Sequence, residues 1–132
     1  MTPEEILNQA ADLIEAAPKL SKGAYSAYEA ELDDRGYESG LHVRWDETDE
    51  NKECFCTMGA IYRVLKISPI NNSRSVAKAD LLHAIRKAIG FGDLTLAEIE
   101  GCIYGWNDSA ERTKDEVVQT LRVASILARE VS

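Results

Sequence analysis

Residues 106–118 read Trp106-Asn107-Asp108-Ser109-Ala110-Glu111-Arg112-Thr113-Lys114-Asp115-Glu116-Val117-Val118. A helix stop, a short polar link and a helix start stand here side by side. Thr113 with Glu116 three places on predicts a capping box, in which the hydroxyl takes the N–H of Glu116 and the carboxylate takes the N–H of Thr113. Trp106 ahead of it is a large apolar anchor, followed by two residues that tolerate turn geometry. On this reading Asn107 takes a left-handed helix-ending conformation, and Asp108 bonds the link backbone or pairs with Arg112. Trp106, Asn107, Asp108, Arg112, Thr113 and Glu116 are therefore assigned a structural role, fixing how the last helix docks on the one before it. The competing reading is a polar pocket that grips a ligand.

Working outward, the same punctuation recurs. Thr95 with Glu98 predicts another capping box, opening a helix whose Leu96, Ile99, Ile103 and Trp106 share a face. Helix five carries Val117, Leu121, Ala124, Leu127 and Ala128 at three- and four-residue spacing. Before them, Ser73 or Ser75 caps a helix with Val76, Ala79, Leu82, Ala84, Ile85 and Ile89 inward, stopped by Gly90. Thr57 to Ile67 predicts a helix with Met58, Ile61, Tyr62 and Leu65 inward, and the small pair Gly59-Ala60 implies close packing near its start. The first helix is the clearest: Thr2 as N-cap, Pro3 at the first helical position, Glu4 and Glu5 at the positive pole, and Ile6, Leu7, Ala10, Leu13, Ile14 and Ala17 on one face until Pro18. The expected fold is mainly α, about five helices in one domain spanning residues 1–132.

Residues 19–53 stand apart as an irregular, acidic insertion. Leu41-His42-Val43-Arg44-Trp45 alternates and is rich in β-formers, and Cys54-Phe55-Cys56 is placed to pair with it as one short β-hairpin lying on the helices. Between Tyr28 and Glu53 stand ten acidic residues against three basic ones, so this segment carries −7 of the chain's net −8. That balance argues against direct nucleic-acid binding, which needs lysine and arginine for the phosphates, and against docking on anionic lipid. No apolar run is long enough for a membrane span. The acidic start Met1-Thr2-Pro3-Glu4-Glu5 is unlike a secretory signal, so a cytoplasmic location is expected. Three cysteines, two of them only two positions apart, fit reduced thiols.

Two separated signatures, Cys56-Thr57-Met58-Gly59-Ala60-Ile61 and Trp106-Asn107-Asp108 with Arg112-Thr113, Glu116-Val117 and Leu121, occur in an order that resembles a family of small bacterial and phage proteins of unknown function. The resemblance covers most of the chain and implies no activity. The acidic stretch between Tyr28 and Glu53 is longer than the family pattern.

Four constellations bear on function. Cys56, His83 and Asn107 or Asp108 stand in an order suited to a thiol hydrolase, with the helix N-terminus lowering the Cys56 pKa; the plainer reading is a buried cysteine and a surface histidine. Cys54, Cys56, Cys102, His42 and His83 lack the paired spacing of a structural zinc site, and residues 46–51 lack the central glycine of a calcium loop, so no metal or other cofactor is expected. Trp106 to Arg112, structural or ligand-gripping, is the third. The acidic segment carries aromatic residues amid its charge, as interaction surfaces do. Asp33, Asp34, Tyr37, Trp45, Asp46, Glu47, Asp49 and Glu50 are its candidate contacts. The leading expectation is a small interaction protein with a basic protein partner, and the alternative is a cysteine-dependent hydrolase or transferase using Cys56 and His83.

Overall fold

The computed structural model describes residues 1–37, 51–66 and 76–131. Five α-helices make the body: α1 Pro3–Ala16, α2 Thr57–Leu65, α3 Val76–Ile89, α4 Leu96–Asp108 and α5 Lys114–Val131. Two-residue strands β1, Ser26–Ala27, and β2, Cys54–Phe55, form the sheet, and a 3-10 turn covers Glu29–Glu31.

Local chemistry accounts for most helix ends. The Thr2 side chain accepts the Glu5 N–H at 3.2 Å, with Pro3 in the first turn. At the other end Ala17 is extended, as the ring of the following Pro18 requires. Lys114 Nζ on α5 donates to the carbonyls of Glu15 and Ala17, supplying partners that the last turn of α1 lacks. Gly90 closes α3 with φ +101°, its N–H and that of Phe91 both donated to the Arg86 carbonyl. The first helix, the Thr95–Glu98 box and the Thr113–Glu116 box all occur as expected. Helix two ends two residues early, at Leu65, where Lys66 turns left-handed.

α5 lies along both α1 and α3, while α2 packs on α1 and α4. Leu7, Ile14, Met58, Ile61, Leu82, Ile85, Ile103 and Leu121 meet in one core. Each buried side chain of this size contributes about 1.5–3 kcal/mol relative to exposure. Leu96 is a correction: it is 41% exposed and does not share the inward face of Ile99 and Ile103. Being the first residue of α4, it precedes the turn that docks. Polar clamps on the rim join α1 to α5: Arg122 to Asp12 and Asn8, and Arg129 to Glu4.

Among the described residues the sheet has a strand that the sequence reading did not name. β2 pairs antiparallel with β1, Ser26 opposite Phe55 and Ala27 opposite Cys54, while Leu20 makes a parallel bridge to Phe55. The proposed partner strand, residues 41–45, lies outside the described residues, as do Ser73 and Ser75. Nor are residues 19–37 irregular throughout. Leu20, Ser21, Lys22, Ala24, Ala27, Leu32 and Gly36 are buried. This arm packs because its backbone finds partners: Ser21 N–H to the Phe55 carbonyl, Cys56 N–H to the Tyr25 carbonyl, Lys22 N–H to the Gly36 carbonyl. Gly59 makes the approach achievable, since a Cβ there would lie 1.8 Å from the Tyr25 carbonyl oxygen. The small pair read in the sequence thus has its neighbour, the arm rather than another helix.

Candidate functional site

The end of α4 is where the arm, α2 and α5 converge. Asn107 is helical and 1% exposed, not a left-handed cap. Its Oδ1 accepts the Thr57 N–H at 2.9 Å and the Thr57 hydroxyl at 2.6 Å, and its Nδ2 donates to the Ser21 carbonyl at 3.0 Å. Thr57 is the first residue of α2, so its N–H is one of the donors a helix leaves without an internal partner. Cys56 Sγ takes the Gly59 N–H of the same turn. Asn107 therefore caps a different helix from its own, and burial inside the core explains why it could not serve as an exposed turn residue.

Asp108 receives the arm. Its Oδ1 accepts from the Gly23 N–H at 3.0 Å and from Asn107 Nδ2, and its carbonyl accepts the Tyr37 hydroxyl. The expected pairing of Asp108 with Arg112 does not occur. Arg112 bonds Glu116 at 2.7 Å, donates to the Trp106 carbonyl and lies 4.4 Å from the centre of the Trp106 ring. The guanidinium reaches both α4's last turn and the α5 capping box, which holds it away from Asp108. Trp106 itself is half-buried against the core.

A second polar group, unanticipated from the sequence, sits between the arm and helices α2, α3 and α4. Glu100 Oε1 accepts the Tyr62 hydroxyl, the Tyr104 hydroxyl at 2.9 Å and Lys78 Nζ at 3.2 Å. With the Tyr104 proton given to Glu100, the Tyr25 hydroxyl donates to Tyr104. Lys78, buried, also lies 5.1 Å from the centre of the Tyr62 ring. Burial pushes the Glu100 carboxyl up, but the tyrosine hydroxyls and Lys78 outweigh it and hold the group below the ordinary carboxylate range. Burial raises Tyr25, Tyr62 and Tyr104, all of which stay neutral phenols. The network is a fixed negative charge with its counterion, and the local sign that precedes it is the Glu100–Tyr104 pair four apart on one helix face.

Cys56 and His83 border different cavities. Cys56 is buried as the N-cap of α2, and desolvation pushes its thiol up to about 12, the reverse of the expected lowering. The dipole and the Gly59 N–H act in the lowering direction, but loss of water is the larger effect. His83 is exposed on α3 and borders a groove of about 380 Å³ with Pro3 and Leu127. Cys56 instead borders a cavity of about 190 Å³ with Gly23, Ala24, Tyr25, Tyr104 and Asp108. Among the described residues, no three His, Cys, Asp or Glu side chains are gathered to hold a metal ion, and Cys54, Cys56 and Cys102 are free thiols. His42 is outside the described residues.

Of the acidic candidates, Asp33 is occupied locally: its carboxylate accepts the Arg35 and Tyr37 N–H groups, and burial, which raises it, is outweighed by these bonds, so its pKa is lowered. Tyr37 is half-buried, with Lys22 and Arg35 near its ring. Asp34 is exposed. Trp45, Asp46, Glu47, Asp49 and Glu50 fall outside the described residues.

The five helices with their small two-stranded sheet define a small, mainly α protein. The chain belongs to a family of unknown function, DUF6197, whose profile matches residues 1–126. No curated protein and no solved structure matches it. Among the described residues no helix is long and apolar enough to cross a membrane.

Proposed function

We propose that this chain is an interaction protein that presents residues 28–53 to a basic protein partner. The observation that carries the reading is how the acidic segment is held. Residues 27 and 54 face each other in the β1–β2 ladder, and the Glu29 N–H donates to Glu53 Oε1 at 3.1 Å, so the two ends of the segment are held side by side. Between those ends the segment carries a net −7. A concentrated charge of one sign speeds encounter with an opposite surface and selects against acidic partners.

Asp34, Asp46, Glu47, Asp49 and Glu50 are the contact carboxylates in this reading, with Trp45 among them; Asp33 and Tyr37 hold the turn at residues 33–37. The reading takes the site of action to be the cytoplasm, that of the host if the chain is phage-encoded. The hydrolase alternative is disfavoured by a raised, backbone-bonded thiol whose neighbours do not include His83.

The test replaces Asp34, Asp46, Glu47, Asp49 and Glu50 by Asn or Gln and compares both proteins as baits. The wild type is expected to retain a basic protein that elutes as salt rises, and the variant to lose it while its circular dichroism is unchanged and its melting temperature equal or higher. Equal capture by the two baits, indifferent to salt, would refute the proposal.

A further inference from the structure

The cavity beside Cys56 has a chemistry of its own. Gly23, Ala24, Tyr25, Cys56, Tyr104 and Asp108 line it, and Asp108 is the single charged group among them. Both hydrogen bonds to the Asp108 carboxylate fall on Oδ1, and no ion pair engages it among the described residues. Lys22, whose charge acts on Asp108 through space, directs its Nζ to the Ala110 carbonyl at 3.4 Å and lies 5.3 Å from the Tyr37 ring centre. The two rings are edge-to-face with centres 5.5 Å apart, and their hydroxyls are bonded to each other and onward to Glu100, which fixes them. An unpaired carboxylate, two fixed aromatic rings and the negative pole of α4 all favour positive charge at one point. The rest of the lining is a glycine, an alanine and a neutral thiol, which offer a cation's substituents apolar contact.

We infer that this cavity binds a small organic cation of the alkylammonium class, with Asp108 as its counter-charge and the Tyr25 and Tyr104 rings as its walls. The volume, about 190 Å³, is room for roughly six waters at about 30 Å³ each. That is room enough for a quaternary ammonium head or a short alkylamine. Anions are disfavoured, because no basic side chain borders the cavity. The charge of this site comes from the end of α4 and not from the carboxylates of the acidic segment.

The test titrates tetramethylammonium chloride into the full chain at fixed ionic strength, following the ring resonances of Tyr25 and Tyr104 by NMR. tert-Butanol, nearly the same shape but neutral, is the control. Saturable shifts of both rings with the cation, absent or much weaker with the alcohol, are expected. Asp108→Asn keeps an oxygen for the Gly23 and Asn107 donors and should weaken the cation by about tenfold or more. Tyr104→Phe keeps the ring and should bind it still. No saturable shift, equal binding of cation and alcohol, undiminished binding by a folded Asp108→Asn protein, or loss of binding in a folded Tyr104→Phe protein would overturn the inference. The cation-against-alcohol comparison uses wild-type protein and decides the matter even where a variant fails to fold.

Discussion

Asn107→Ala should be among the most damaging single changes in this protein. The side chain removed is 1% exposed, and the groups it leaves behind are buried too: Thr57 is 1% exposed and Ser21 is 0%. The Thr57 N–H, the Thr57 hydroxyl and the Ser21 carbonyl all lose their partner at once. A buried polar group left unsatisfied costs about 1–3 kcal/mol. The hydroxyl can rotate toward another acceptor, so the N–H and the carbonyl dominate, and a void is added where the amide stood. The expected loss is about 3–5 kcal/mol. Against a typical total stability of about 5–15 kcal/mol this is a large share. Urea unfolding at constant m-value measures it directly as a fall in midpoint. Asn107→Asp separates the parts, since a carboxylate still accepts from Thr57 but cannot donate to Ser21 and sits beside Asp108. It should also be severely destabilised at pH 7, with the loss partly relieved as acid protonates it. A loss below about 1 kcal/mol for the alanine variant would refute the argument that Asn107 joins α2, α4 and the arm.

Three further outcomes follow from the packing and the charge network. Gly59→Ala drives a methyl into the Tyr25 carbonyl, which is held by the Cys56 N–H; overpacking of this kind costs about 1–3 kcal/mol or more, and a melting temperature within error of wild type would contradict it. In native protein at pH 8, iodoacetamide should modify Cys102 well before the buried Cys54 and Cys56, whose thiols are pushed up by desolvation; peptide mass mapping showing Cys56 alkylated first would revive the nucleophile reading. Glu100 has a folded-state pKa below its unfolded one, so its stabilisation is fully present above the unfolded carboxylate range and disappears as pH falls through the lower folded value. Glu100→Gln should therefore lower the melting temperature at pH 7, where Lys78 loses its counterion, and shrink the difference from wild type in acid; a difference that grows in acid would contradict the assignment.

The helix boundaries were legible because the interactions that set them are local. Thr2 with Glu5, Thr95 with Glu98 and Thr113 with Glu116 each span three residues, and Pro18 acts on its immediate neighbour. The candidate site was not, because its bonds run between distant positions: 50 residues from Asn107 to Thr57, 86 to Ser21 and 79 from Tyr25 to Tyr104. In a short window an asparagine that stops its own helix and one that caps another look alike. Tyr62 reads as apolar periodicity, and only the fold brings its hydroxyl to Glu100. The same limit explains β1: Ser26-Ala27 has no alternation to detect, and it pairs because Gly59 lets the arm approach. Cys56 failed in the opposite way. Its place at a helix start was read correctly, and the sign of its pKa shift was decided by burial that no local pattern reports.

The pairing of Ala27 with Cys54 closes the intervening chain into a ring, part of which, Leu32, Gly36 and Tyr37, packs on the body. Once the ring is closed, its circumference is thermodynamically cheap. Doubling the number of residues it encloses adds only about 0.6 kcal/mol of closure entropy. Residues can be added to such a ring at little cost in closure entropy, provided the pairs Ser26–Phe55 and Ala27–Cys54 and the contacts of Leu32, Gly36 and Tyr37 survive. Selection can then act on the ring's length and on the folded body as nearly separate traits, with the ladder and those contacts as the junction between them.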